Sequence, residues 1–238
     1  MGAGGAQRPA APVGRGRLMA VVAAGGSFDP AGPVADEIAE LSWVLVIAGG
    51  AVLAVFAALL SVALFRRRDP SGPERSGIRW IVAGGVVMPV VVLIVVFGFT
   101  VGSMRAIPTT APPGALTVEI VGHQWWWEVR YPDHGVVTTN EMHIPVGRPV
   151  ELRLTSADVI HSFWVPQLAG KLDLLPGGEN ILVVEADEAG EYHGQCAEFC
   201  GLHHATMRFR AVALEPERFA AWLAGQPREA PEAPGGGE

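Results

Sequence analysis

Two long uninterrupted apolar runs stand out in the first half of this chain. Residues 41–64 contain no charged residue, and residues 80–103 form a second uncharged run of similar length. About 24 residues at about 1.5 Å each reach about 36 Å as a helix, which is enough to cross a bilayer. One such run could be the core helix of a soluble protein, but two in tandem predict a transmembrane hairpin, to which we assign residues 27–106. Pro89 lies inside the second run and is expected to kink that helix, which a membrane helix tolerates.

After residue 107 the pattern changes to short alternating segments with Gly, Pro and Asn between them, which is typical of strands. Five strands are predicted, at residues 116–121, 124–130, 149–155, 180–186 and 207–214. Strands at this spacing indicate a β-sandwich or barrel. A short helix over residues 216–224 is expected to close this domain, because Pro216 suits a first helical turn. The domain is assigned to residues 107–225, and the Pro/Gly/Glu-rich residues 226–238 to a disordered tail.

Residues 1–26 are rich in Gly, Ala and Pro, and carry Arg8, Arg15 and Arg17 ahead of a short apolar run. Two interpretations stay open. The segment is either a cleavable signal peptide or a disordered N-terminus.

Charge predicts how the hairpin is oriented. The connecting loop is basic, with Arg66, Arg67, Arg68, Arg75 and Arg79 against Asp69 and Glu74. Only acids precede the first apolar run, from residue 27 onward. The positive-inside rule therefore places the loop in the cytoplasm, and the N-terminal segment and the β-domain on the outer side of the plasma membrane. The arginines before residue 18 conflict with this orientation unless they are removed with a signal peptide. The formal net charge of −7 argues against nucleic acid as a partner and favours a basic protein.

The candidate chemistry lies between residues 194 and 207, which offer two thiols, two imidazoles and a thioether. Thiolate and thioether are soft ligands and select copper, whereas zinc has little use for methionine. A single-copper electron-transfer site needs one cysteine, so the pair Cys196 and Cys200 points instead to sulfurs that bridge two coppers. A second imidazole must come from elsewhere. His161 is the candidate, although a lone histidine among apolar residues is more often an ordinary core or surface residue.

Three motifs together resemble one family, cytochrome c oxidase subunit II. They are the Cys-x-Glu-x-Cys-x3-His-x2-Met spacing of residues 196–207, Val-Ile-His-Ser-Phe-Trp-Val-Pro at 159–166, and Gly-His-Gln-Trp-Trp-Trp at 122–127. The resemblance covers about residues 27–225. It departs at Trp126, where the family usually has tyrosine. It implies an all-β cupredoxin-like Greek-key sandwich or barrel, preceded by a two-helix transmembrane hairpin.

The resemblance also implies a dinuclear copper centre (CuA). Six residues would hold it: His161, Cys196, Glu198 through its backbone carbonyl, Cys200, His204 and Met207. The two cysteines would bridge the coppers, each histidine would bind one copper, and Met207 and the Glu198 carbonyl would be axial ligands. The side chain of Glu198 would reach a magnesium ion at the contact with subunit I.

Trp125 matches the residue at which electrons from cytochrome c enter, and Asp158 matches an acidic residue of the docking face. A membrane-interface tryptophan belt is the alternative for Trp125. Side chains alternate along a strand, so Trp125 and Trp127 are expected on one face and Trp126 on the other.

Three aromatic residues are expected to keep the copper site dry, namely Phe163, Trp164 and Phe199. His203 matches no ligand position and is interpreted as a surface residue.

The function implied is subunit II of cytochrome c oxidase, with subunits I and III, cytochrome c and the membrane as partners. Oxygen would be reduced in subunit I, with proton translocation. The copper subunit of a nitric oxide reductase is the alternative hardest to separate, since the difference lies in another chain. A nitrous oxide reductase would need a large catalytic domain, and a quinol oxidase subunit would lack the copper ligands. A copper-storage or assembly protein would not need the two-helix anchor or Trp125.

Overall fold

The computed structural model describes residues 26–65 and 77–228, so the predictions for the N-terminal segment, most of the basic loop and the tail lie outside it. Helix α1 spans Pro33–Phe65. Helix α2 spans Ile78–Ala106 and packs against α1. Both are long and apolar enough to cross a membrane, and their most apolar stretches are not buried by the rest of the described chain. At 33 residues, α1 is about 50 Å long.

Helix α1 begins earlier than the uncharged run predicts, at Pro33 rather than at residue 41. The predicted helix was limited to uncharged residues and therefore excluded the acids that precede residue 41. Those acids do not prevent a helix, because proline suits the first turn and Asp36 interacts favourably with the N-terminal end of the helix dipole.

The first turns of α1 pack on the β-domain. Val34 is buried in the core cluster of that domain and Ile38 packs against the cluster. The preceding residue Ala31 donates its backbone N–H to the Gln167 carbonyl at 2.8 Å, and its own carbonyl accepts the N–H of Asp187 at 2.9 Å. The N-terminal end of α1 therefore lies on the same side as the β-domain.

Helix α2 contains a π-helical segment, Ala83–Val87, immediately before the stretch with Pro89. Proline has no N–H to donate and crowds the carbonyl four residues earlier, at Gly85. A wider helical turn at that point accommodates it.

Ten strands follow the helices: β1 Leu116–His123, β2 Trp126–Tyr131, β3 Val136–Thr139, β4 Glu141–Pro145, β5 Val150–Ser156, β6 His161–Trp164, β7 Leu172–Leu174, β8 Asn180–Val184, β9 Gly190–Cys196 and β10 Arg208–Leu214. They form two five-stranded sheets, ordered β3-β2-β1-β5-β8 and β4-β10-β9-β6-β7. The β1–β5 and β4–β10 pairs are parallel, and the other pairs are antiparallel. Helix α3, Pro216–Gly225, follows β10 and packs on β4 and β10.

The core lies between the two sheets because alternate residues of each strand point inward. In β5 the buried positions are Val150, Leu152 and Leu154, and in β10 they are the alternate residues from Phe209 onward. This architecture confirms the predicted fold class, an all-β cupredoxin-like sandwich preceded by two apolar helices.

One predicted strand is wrong at its start. Gln124 and Trp125 lie in a turn between β1 and β2, and the strand begins only at Trp126. Strand alternation therefore governs Trp126 and Trp127 but not Trp125. Trp127 is fully buried and packs edge-on against Phe163 at 5.6 Å between ring centroids, whereas Trp125 is only half-buried.

Candidate metal centre

The two cysteines lie at one end of the sandwich, where β9 runs into a tight loop. Cys196 is the last residue of β9, and Cys200 lies in the loop that follows. Both are buried free thiols, and their Sγ atoms are 3.8 Å apart. The loop is fixed at both ends: the Cys196 N–H donates to the Met207 carbonyl at 3.0 Å, and the Ala197 N–H donates to the Ser162 carbonyl at 2.9 Å.

His161 approaches the cysteines from the neighbouring strand. It begins β6, which pairs with β9, and its side chain is fully buried. Its Nδ1 lies 3.9 Å from Cys196 Sγ. The ligand atoms of His161, Cys196 and Cys200 all lie within 4.8 Å of one another, which is the spacing of a metal site.

The remaining predicted ligands come from the loop between β9 and β10. His204 begins a 3-10 turn and places Nδ1 3.7 Å from Cys200 Sγ. Met207 is buried, with Sδ also 3.7 Å from Cys200 Sγ. The Glu198 carbonyl oxygen lies 3.2 Å from Cys196 Sγ, while the Glu198 side chain is exposed. The structure thus brings together all six predicted ligand groups.

Asp158 contacts the ring nitrogen of His161 that faces away from the cysteines. Its Oδ1 lies 2.8 Å from His161 Nε2 and also accepts the Val159 N–H at 2.6 Å, and its Oδ2 accepts the Gln124 N–H at 2.6 Å. A carboxylate on one ring nitrogen fixes the tautomer and aims the other nitrogen at the site. The sequence predicted only a docking-face role for Asp158, which is partly exposed, and did not predict its contact with His161.

Two side chains from the β1–β2 turn converge on the carbonyl of Cys200. Gln124 Nε2 donates to it at 2.7 Å, and Trp125 Nε1 donates at 3.2 Å. The next residue, Gly201, has a φ of +117°, a conformation that favours glycine. The half-buried ring of Trp125 also meets the ring of His203 edge-on at 4.8 Å between centroids.

A second glycine makes room for His161. A Cβ built on Gly122 would lie 2.8 Å from His161 Cδ2, which is closer than real Cβ atoms come to their neighbours. Strand β1 therefore needs glycine at this position for the imidazole to reach the cysteines. The sequence showed Gly122 only as part of a motif, and its role depends on a contact between distant residues.

One of the expected drying residues is misplaced. Phe199 is 77% exposed and meets the ring of His204 edge-on at 5.7 Å between centroids, while Phe163 is buried in the core. The tight loop between the cysteines turns its central side chains outward, since the sulfurs occupy the inner side. Water is instead kept from the site because its ligands Cys196, Met207 and His161 are buried at the end of the core.

The two thiols differ in acidity. Burial raises the pKa of the Cys196 thiol, but a hydrogen bond from His161 and contacts with backbone groups outweigh burial, so the net pKa is lowered. Burial and the neighbouring Cys196 thiolate both raise the pKa of Cys200. One thiolate therefore forms readily and opposes the second, and a bound cation would relieve this repulsion.

The chain is similar to cytochrome c oxidase subunits 2 and to quinol oxidase subunit 2 of Bacillus spizizenii, which is 29% identical over 86% of this chain and 67% of that relative. Residues 135–213 match the family described as cytochrome c oxidase subunit II, periplasmic domain. A protein of Rickettsia bellii named probable cytochrome c oxidase subunit 2 is 30% identical over 82% of this chain and 81% of that protein. Cytochrome c oxidase subunit 2 of Alkalihalophilus pseudofirmus is 34% identical over 87% of this chain, which spans 63% of that relative's length. The crystal structure of the periplasmic domain of cytochrome oxidase subunit II of Bradyrhizobium japonicum is 33% identical, covers 49% of this chain and 96% of that one, and has a TM-score of 0.47.

Proposed function

The chain belongs to the cytochrome c oxidase subunit II family, and from this premise we propose that its β-sandwich holds a dinuclear copper centre (CuA) that receives electrons from cytochrome c. The electrons continue to the haem of subunit I, where oxygen is reduced to water with proton translocation. One observation carries the proposal. Cys196 and Cys200 have sulfurs 3.8 Å apart, and each sulfur has its own imidazole, from His161 or His204, within 3.9 Å.

The donor set fits copper. Metal–ligand bonds of about 2.0 to 2.3 Å allow two ligands of one ion to be up to about 4.5 Å apart. The sulfur–sulfur and sulfur–imidazole separations here fall within that limit. Two thiolates, two imidazoles and a thioether are a soft set, which favours copper over zinc.

Each donor has its own role in this proposal. Cys196 and Cys200 would bridge the two ions, and His161 and His204 would bind one ion each. Met207 and the carbonyl of Glu198 would be the weak axial ligands. Copper bound in this way would supply a one-electron redox couple.

The protein contributes rigidity and a dry surrounding. His161 and Met207 are buried, and Asp158 fixes the imidazole of His161. The backbone bond from Cys196 to Met207 ties the two ends of the loop together. Ligands held in this way move little when the charge of the site changes, so little reorganisation opposes electron transfer.

Trp125 offers a short route from the surface to the site. Its ring is partly exposed, and its indole N–H reaches the carbonyl of Cys200 in one hydrogen bond. A partly exposed aromatic ring is also a common docking anchor. We therefore assign to Trp125 the reception of electrons from the donor. A membrane-interface role would not require contact with a ligand residue.

The partners follow from the same premise. Subunits I and III would surround helices α1 and α2 in the plasma membrane, with the β-domain on the outer side. The exposed carboxylate of Glu198 is free to hold a magnesium ion at the contact with subunit I. The net charge of −7 suits a basic cytochrome c as the electron donor. Relatives named cytochrome c oxidase subunit 2 favour this oxidase over a nitric oxide reductase.

Rapid mixing of the full chain with reduced cytochrome c tests the function. The chain, purified in detergent and loaded with copper, should oxidise cytochrome c at a rate that falls as salt rises. The double variant Cys196→Ser, Cys200→Ser should not oxidise it. An inert wild-type chain, or equal rates for both proteins, would contradict the proposal.

A further inference from the structure

Gln124 contacts two separate segments that carry candidate ligands. Its backbone N–H donates to Asp158 Oδ2 at 2.6 Å, across 34 positions of the chain. Its side-chain amide donates to the Cys200 carbonyl at 2.7 Å, across 76 positions. The residue itself lies in the turn between β1 and β2 and offers no sulfur or imidazole to the site.

The first contact leads to His161. The carboxylate that accepts the Gln124 N–H also holds His161 Nε2 at 2.8 Å. The backbone of the turn and the imidazole are therefore anchored to the two oxygens of a single group. A shift of the turn would be transmitted to the imidazole through Asp158.

The second contact leads to the cysteine loop. The Cys200 carbonyl lies outside the strands, so no sheet hydrogen bond fixes it. A Cβ on Gly201 would lie 3.1 Å from Gln124 Nε2, which shows how closely the amide packs on the Cys200–Gly201 peptide. The hydrogen bond from the Gln124 amide to this oxygen, at 2.7 Å, is shorter than the hydrogen bond from Trp125 Nε1, at 3.2 Å.

We propose that Gln124 is a positioning residue that fixes the backbone of Cys200 relative to His161 before any metal binds. The amide and the backbone N–H of one residue span the two ligand-bearing segments, so the turn acts as a brace across the site. This inference rests on the proposed copper site. The position of the Cys200 backbone, however, can be tested in the metal-free chain.

Alkylation of the metal-free full chain in detergent tests the brace directly. Cys200 is only 3% exposed, so iodoacetamide reaches its thiol only when the loop opens. Gln124→Leu keeps the side chain bulky but removes the donor. It should speed alkylation of Cys200 roughly three- to tenfold, the effect of one hydrogen bond. Gln167→Ala is the control, because it removes a hydrogen bond from a glutamine side chain to a different backbone carbonyl, that of Asp29.

A second readout separates positioning from general stability. With copper added, Gln124→Leu should shift the thiolate-to-copper absorption bands, while its urea midpoint should stay at that of Gln167→Ala. Alkylation and absorption unchanged from the control would overturn the inference. So would faster alkylation that merely tracks a lower urea midpoint. A wild-type chain that binds no copper through its thiols would defeat the proposed function instead, whatever the Gln124 variant does.

Discussion

The carboxylate of Asp158 lies 2.8 Å from Nε2 of His161 and thereby leaves Nδ1 to face Cys196. Asp158→Ala should therefore lower copper affinity by about tenfold to a hundredfold, because the imidazole loses the group that orients it. Copper titration of the full chain, followed by absorption, measures the change. Asp158→Asn should lose less, since an amide oxygen still accepts the Nε2 proton.

The control for Asp158 is Asp173→Ala, which removes another exposed acid, on β7. It should leave copper affinity unchanged. If Asp158→Ala also kept full copper affinity and weakened only the binding of cytochrome c, the docking role expected from the sequence would be its main role.

Trp125 should be essential for receiving electrons but not for holding copper. Trp125→Gln removes the aromatic ring, and we expect electron transfer from cytochrome c to slow by orders of magnitude with little change in the copper spectrum. Trp126→Gln is the matched control, because Trp126 is also half-buried and stacks on His123 instead, at 4.2 Å between centroids. Stopped-flow rates compare the two. Near-normal transfer in Trp125→Gln, or joint loss of copper and fold, would make Trp125 a structural residue.

Gly122→Ala should displace His161, because the added Cβ would come within 2.8 Å of the imidazole. Overpacking of a filled site costs about 1–3 kcal/mol, and here the ligand must move. We expect weaker copper binding and an altered copper spectrum. Gly190→Ala is the control, since its Cβ would meet only the Tyr192 ring at 3.8 Å. Copper binding equal to wild type in Gly122→Ala would show that His161 can shift without loss.

His143 should make the fold sensitive to mild acid. Burial lowers its pKa below the usual 6.5, and the nearby carboxylate of Glu141 only partly opposes this. In the described part of the chain its buried Nδ1 has no hydrogen-bond partner, and its ring stacks on Trp222 at 4.0 Å. A proton added to the folded imidazole would be poorly accommodated.

The direction follows from proton counting. As the pH falls below about 6.5, the unfolded chain takes up a proton at His143 before the folded chain does. Stability therefore falls through this window, by at most about 1.4 kcal/mol per pH unit, and the loss stops below the folded pKa. Urea unfolding of the metal-free chain at several pH values should show a shallower loss in His143→Gln. A slope in His143→Gln equal to that of the wild type would refute this role.

The sequence predicted those parts of the molecule that depend on local pattern. The two uncharged runs predict α1 and α2, and the soft donors at close spacing between Cys196 and Met207 single out the site. What it missed depends on contacts between distant residues. The position of Gln124 follows from its hydrogen bonds to Asp158 and Cys200, which lie 34 and 76 residues away. No local pattern encodes them.

The sequence also placed the start of α1 wrongly and missed short strands such as β6 and β7, because these features depend on packing. The start of α1 at Pro33 is stabilised by packing of Val34 and Ile38 on the β-domain, which a search for uncharged runs does not detect. Strands β6 and β7 have four and three residues, which is too short for a periodic signal, yet β6 carries His161. The exposure of Phe199 results from the tight loop between the cysteines, where hydrophobicity alone predicted burial.

The electron spin resonance spectrum of the copper-loaded full chain tests the bridging role of Cys196 and Cys200 most directly. If the two sulfurs, 3.8 Å apart, bridge two ions, one unpaired electron is shared between two copper nuclei. The spectrum should then show hyperfine splitting from two equivalent nuclei, with two coppers bound per chain by metal analysis. A spectrum split by a single copper nucleus, with one copper per chain, would contradict the dinuclear centre.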